Sequence, residues 1–226
     1  MAQIAEDLFL LLVDNATAQP ALERDRVDRV LAGATLLDLA YACRIRPAVP
    51  GDPFAAGRLL ALAGAAPLDP VLGPAYDLLN RRPLWPANAV SKLRKDSGQH
   101  VALHLERLGQ IQRIPLSAKR FQQVEAWPLI TRHRAGQARA ALLSALFDRR
   151  PPTPTTAAIV SLLHAVDGLG ALLSLNDRGW RWVHARATEI ASGSWVEEAA
   201  ARSPSHTSVA ELNLAITASA LRPALA

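Results

Sequence analysis

Residues 30–43 read VLAGATLLDLAYAC, an almost unbroken apolar run with one acid, Asp38, inside it. The run is too short to cross a bilayer, which needs roughly 20 apolar residues. It is apolar on every side rather than along one stripe, the pattern of a helix buried at the centre of a soluble domain. A carboxylate in such a place is either a catalytic acid with a raised pKa or a core group satisfied by backbone or arginine hydrogen bonds, because a bare one is costly to bury. The second reading is adopted here.

The same alternation predicts the remaining elements. Residues 4–13 form a short apolar element ended by the turn signal Asp14-Asn15. A helix starts near Arg24 and runs to about Cys43. Residues 44–46 read as a strand, with residues 57–63 returning as its partner in a small hairpin. Residues 69–80 are amphipathic, with Val71, Leu72, Ala75, Leu78 and Leu79 at helical spacing. Helices follow at 87–95 and 99–110, separated by a break at Asp96-Ser97-Gly98, and residues 113–128 read as a second hairpin. Beyond it lie a long helix over 129–147, a helix over 153–165 with a capping threonine, helical stretches at 167–175 and 177–191, and a last helix over 209–221. The fold class is mostly α: one globular helical domain over residues 1–226 with one or two small β-hairpins.

Composition narrows the class of function. Half of the 226 residues are hydrophobic, which excludes wholesale disorder. Lys and Arg number 25 against 20 Asp and Glu, a net charge of +5 that favours an anionic partner such as a lipid surface or a nucleic acid. The one cysteine, Cys43, permits no disulfide within the chain. The first residues, MAQIAEDLFLLLVDN, lack a basic n-region and carry Glu6 and Asp7, a poor signal peptide. The expected location is the cytoplasm, soluble or peripherally attached to a membrane.

The order of these pieces resembles the Golgi phosphoprotein 3 family. LFLLLVDN (8–15) is similar to that family's opening Leu-rich stretch, and VLAGATLLDLAYACRI (30–45) to its small-residue segment followed by Leu-x-Glu-Leu-Ala and Arg-Ile, with Asp38 where the family usually has Glu. LERLGQIQRI (105–114) resembles its later helix end and hairpin, and SLLHA (161–165) its late Leu-x-His-Ala helix. The likeness covers roughly residues 8–220. It implies a mostly helical domain that binds phosphatidylinositol 4-phosphate at a membrane surface, with a hairpin assisting insertion. The family's tryptophan and arginine before the small-residue segment align with Glu23 and Ala32, and its two later arginines with Gly98 and Val101. None of the four matches, so the headgroup residues do not carry over one by one.

A phosphate monoester needs several charge-assisted donors at close range. Arg24, Arg26 and Arg29 on the second helix, with Lys92, Arg94 and Lys95 on the later one, are the candidate headgroup ligands; the alternative is a solvated cationic face. Lys119, Arg120 and Phe121 at the second hairpin's tip are the candidate membrane-contacting residues, offering weak attachment of about 1 kcal/mol per basic residue. His100 and His104 at i, i+4 fall short of the three or four ligands zinc requires, so no metal site is expected. There is no Gly-rich phosphate loop and no serine in a nucleophile elbow, so neither a cofactor nor an enzyme is expected. Two rival readings remain. Residues 87–127 could form a winged helix that binds DNA, or Trp180, Trp182 and Trp195 could anchor a protein partner.

Overall fold

The computed structural model describes residues 3–64, 68–116 and 124–193. Two helices form its interior: α1 (Gln3–Leu12) and α2 (Arg24–Tyr41). α1 is buried along its length from Ile4 to Leu12, acids included, and α2 is buried without interruption from Val30 to Ala40. The continuous apolar run at 30–43 is therefore a core helix. It stops two residues early, at Tyr41, through a Schellman ending: the Cys43 amide donates to Ala40 O and the Arg44 amide to Leu39 O. That ending puts Cys43 in the left-handed region, φ +53°, and leaves it exposed.

A first hairpin, β1 (Ile45–Pro47) with β2 (Leu59–Ala61), pairs antiparallel with Arg46 opposite Leu60. It packs on α3 (Gly73–Arg81), which buries Ala75 and Leu79. α4 (Pro86–Arg107) then runs alongside α2 and against α1. The second hairpin, β3 (Ile114–Leu116) with β4 (Val124–Ala126), keeps Pro115 opposite Glu125. α5 (His133–Phe147) and α6 (Pro154–Ala165) close the other side of the central pair, and α7 (Asp177–Ala191) packs outside them. Among the described residues there are seven α-helices and two two-stranded sheets, a mostly α fold, and the buried apolar side chains of these elements form one core cluster.

Three local expectations need correction. The break at Asp96-Ser97-Gly98 is absent, and α4 is continuous. Ser97 turns its hydroxyl back to the Leu93 carbonyl, 3.0 Å away, and Gly98 lies against α2. The helix over 129–147 begins only at His133, because Leu129 bridges to Ile111 and the Ile130 amide donates to Gln110 O, extending the hairpin's base. Of 167–175, only one 3-10 turn, Leu169–Ala171, is helical, after Asp167 at φ +52° ends α6. The tip residues 119–121 and the helix expected at 209–221 lie outside the described residues.

The continuity of α4 has a testable consequence. A Cβ on Gly98 would meet only Leu31 Cδ1 at 3.5 Å and Asp28 Oδ1 at 3.6 Å, ordinary contacts. Gly98→Ala is expected to raise stability by up to about 1 kcal/mol, the propensity difference within a helix. Denaturant melting checks this, and a lowered midpoint would mean a bend at this residue.

Arginine's excess over lysine has a structural use. Arg26 on α2 donates to Val166 O at 3.1 Å, at the end of α6. Arg139 on α5 donates to Leu172 O at 2.8 Å, and Arg186 on α7 to Ala145 O at 3.1 Å, in the last turn of α5. Carbonyls near the ends of helices and turns lack intrahelical donors, and a guanidinium supplies them from a neighbouring element.

Candidate functional site

Asp38 settles the question its position raises. Its side chain is 3 % exposed, and its two oxygens accept the amides of Ile4 and Ala5, each at 2.9 Å. These are free donors at the start of α1. Asp38 thus caps one core helix from the middle of another, and the paired structural reading holds. Burial pushes its carboxyl up to about 7, with Glu6 adding to the rise and the two amides opposing it.

A second polar cluster surrounds α1 and was not foreseen. Arg134 on α5 donates to Asp7 Oδ1 at 2.6 Å and to Glu6 Oε2. Burial raises the Asp7 carboxyl, and the Arg134 guanidinium beside it holds that rise back. The other Glu6 oxygen and Asp69 Oδ2 stand 3.6 and 3.7 Å from His104 Nε2, too far for hydrogen bonds. Glu6, Asp69 and His104 offer atoms within 4.8 Å of one another, the grouping among the described residues that comes nearest to a metal-ligand set. Arg134 already occupies Glu6, so the cluster ties α1 to α5 and brings His104 of α4 and Asp69 of the loop before α3 up beside it.

A concave site lined by two cations and two acids lies where the N-terminal half of α2, the middle of α4 and the base of the second hairpin meet. It has a volume of about 600 Å³. Phe9 and Trp127, edge to face with centroids 6.5 Å apart, belong to its lining with Leu22, Val27 and Ala102. Arg24, Lys95, Gln19 and Gln99 supply polar groups, and Asp28 and Glu125 supply acids. Arg113 lies 3.5 Å from Glu125 and offsets it, while Arg24 is 3.8 Å from Asp28 with its side chain 93 % exposed. Burial raises the Asp28 carboxyl, against the lowering by Arg24.

The six cations expected to gather do not share this one site. Arg24 and Lys95 line the cavity together. Arg29 and Arg94 converge instead on Asp25, at 2.9 and 2.8 Å, and flank a smaller hollow of about 230 Å³. Lys92 lines a groove between α3 and α4, beside Arg81 and His100. Arg26 is directed at the end of α6. Of the four positions aligned with the family's headgroup residues, Gly98 lines the cavity, Ala32 and Val101 are fully buried, and Glu23 precedes α2. Sequence reasoning missed Gln19, Gln99, Glu125 and Trp127. Among these only Trp127, beside Pro128 at the hairpin's end, carried a local signal.

The other expectations resolve as follows. The unbroken α4 replaces the two helices that the winged-helix reading placed within residues 87–127. Trp180 packs half-buried on the core, Trp182 is exposed and stacks on Phe147 at 5.7 Å, and Trp195 lies outside the described residues. No helix among the described residues is long and apolar enough to cross a membrane.

A mostly helical domain with two buried central helices and a polar-lined hollow at a hairpin's base is the class that this architecture defines. The profile of the Golgi phosphoprotein 3 (GPP34) family matches residues 4–206, and the chain belongs to that family. A search of curated proteins returns no match.

Proposed function

We propose that this chain is a non-catalytic, peripheral membrane protein that attaches to anionic phospholipid headgroups, a phosphoinositide among them, through the cavity between α2, α4 and the second hairpin. The observation that carries this reading is that Arg24 and Lys95, from two different helices, line one cavity beside that hairpin. A phosphate is held best by donors converging from separate elements. The net charge of +5 supplies the long-range attraction to an anionic surface. Family membership supports the reading, because the resemblance implies lipid binding at a membrane surface. Lys119, Arg120 and Phe121, which lie outside the described residues, are the further cations and aromatic group that the sequence offers for contact with such a surface.

The test is association with phosphatidylcholine vesicles containing phosphatidylserine or phosphatidylinositol 4-phosphate. Arg24→Glu with Lys95→Glu is expected to weaken association tenfold or more, given about 1 kcal/mol for each basic residue lost and a further repulsion for each acid gained. Arg178→Glu, an exposed cation on α7, is the control and should change it little. Equal effects of the two reversals would leave only a diffuse charge attraction and remove the cavity from the account.

A further inference from the structure

The loop joining β1 to β2 is closely tied and yet presents apolar side chains to water. Arg46 grips Asp52 with both terminal guanidinium nitrogens, at 2.6 and 2.8 Å, and Asp52 also accepts the Val49 amide at 2.8 Å. Those bonds hold the Asp52 carboxyl down to about 2, Arg46 contributing most. The Ala48 amide donates to Arg58 O at 2.7 Å and the Gly57 amide to Ala48 O at 2.8 Å, closing the loop's base. Trp85 is part of the same unit. Its ring lies 3.1 Å from where a Cβ on Gly57 would sit, and the Arg58 guanidinium stands 5.6 Å over it. Val49, Phe54 and Trp85 nevertheless remain 52, 44 and 41 % exposed. A loop fixed in this way presents its apolar groups in a constant shape, whereas a loose one would fold them back onto the core.

Charge identifies what this tip meets. Residues 44–95 carry eight Arg or Lys against three Asp, an excess of five that equals the net charge of the whole chain. Of those acids, Asp52 is held in the Arg46 fork and Asp69 lies mostly buried near His104. Arg81 and Arg82 are exposed just before Trp85. Apolar and aromatic tips ringed by arginine match the interface of an anionic bilayer, where rings sit at headgroup depth and guanidinium groups reach phosphates.

Trp85 also joins this loop to the helix that reaches the proposed headgroup cavity. The exposed Trp85 immediately precedes α4, and from it the exposed Asn88, Lys92, Lys95 and Gln99 continue as one stripe along the helix. At 1.5 Å per residue the stripe is about 21 Å long, and Lys95 and Gln99 at its far end line the cavity. A flat surface laid along α4 reaches both.

We propose that the β1–β2 loop is a second membrane anchor, with Val49, Phe54 and Trp85 entering the interface of an anionic bilayer while Arg58, Arg81 and Arg82 engage its phosphates. This rests on the membrane-binding reading above but uses a different surface, so the two can fail separately. Cys43 is the only cysteine, so a Cys43→Ser, Val49→Cys chain can carry one environment-sensitive fluorophore at the tip. Its emission is expected to shift blue on phosphatidylcholine–phosphatidylserine vesicles and not on phosphatidylcholine alone. Val49→Ser with Phe54→Ser, both exposed and outside the core, is expected to lower vesicle association tenfold or more, because each side chain is about half exposed and has that half to withdraw from water. Unshifted emission and undiminished association, in a chain that still binds the vesicles, would overturn the loop anchor and leave the cavity reading standing. Loss of binding in the loop variant but not in Arg24→Glu, Lys95→Glu would uphold the anchor and reject the cavity. A wild-type chain that ignores anionic vesicles would overturn both. A loop variant that instead turns a dimer into a monomer in sedimentation would assign the tip to a second copy of the chain and reject the bilayer.

Discussion

Asp38→Leu is expected to lower the unfolding free energy by about 1–3 kcal/mol for each of the two amides it strands, the cost of an unsatisfied buried donor. Among the described residues the Ile4 and Ala5 amides have no other acceptor at the start of α1, and α1 is enclosed by α2, α4, α5 and α6. Asp38→Asn keeps one acceptor oxygen and should cost less. Its cost should also depend on pH. In the fold, burial lifts the Asp38 carboxyl from its ordinary 3.8 to about 7, so the folded chain holds this proton more tightly than the unfolded one. The stability tied to that proton is complete below about pH 4 and is lost as pH rises through 7. Asparagine does not titrate. The deficit of Asp38→Asn relative to wild type should therefore be larger at pH 5 than at pH 8, as urea denaturation at both values would show. A deficit that grows with pH would mean that the folded chain favours the ionised carboxylate.

Arg134→Met is expected to cost about 3 kcal/mol at neutral pH. Removing one partner of a buried ion pair costs roughly 3–5 kcal/mol, and the 30 % exposure of the Arg134 side chain places this case at the low end. Glu6 and Asp7 would be left as adjacent buried acids with their guanidinium gone. Adding Glu6→Gln and Asp7→Asn should recover part of the loss, because amides do not carry the uncompensated charge. Lowering the pH should help as well, since the buried Asp7 carboxyl protonates more readily than an ordinary one. A loss under 1 kcal/mol would class the cluster with surface ion pairs.

How much of this was legible differs from element to element. The apolar run at 30–43 announced a core helix, and an acid inside it had to be paired. That its partners are amides 33 and 34 residues earlier could not be read, because periodicity gives a buried face and not what covers it. Asp96-Ser97-Gly98 is turn chemistry taken locally. Packing overrides it, since the serine hydroxyl folds back on the helix and the glycine admits α2. The hairpins were visible because proline, glycine and short β-branched pieces act within a few residues. The basic clusters were visible as charge, but a charge run does not say where each side chain goes. Arg26 is taken by the α6 terminus and Arg29 and Arg94 by Asp25, which leaves Arg24 and Lys95 on the cavity. The Glu6–Asp7–Arg134 network spans more than 120 residues of sequence, and no local signal pointed to it.

The central claim, attachment to anionic phospholipid, is tested most directly by flotation of the whole chain with vesicles at low and high salt, beside a duplex DNA mobility shift at matched salt. The account predicts flotation with phosphatidylserine or phosphatidylinositol 4-phosphate vesicles at low salt and little with phosphatidylcholine alone. Binding should fall steeply as salt shortens the screening length from roughly 10 Å towards 3 Å, with no shift of DNA. A chain that stays with the soluble fraction on every vesicle, or that shifts DNA while ignoring anionic lipid, would contradict it.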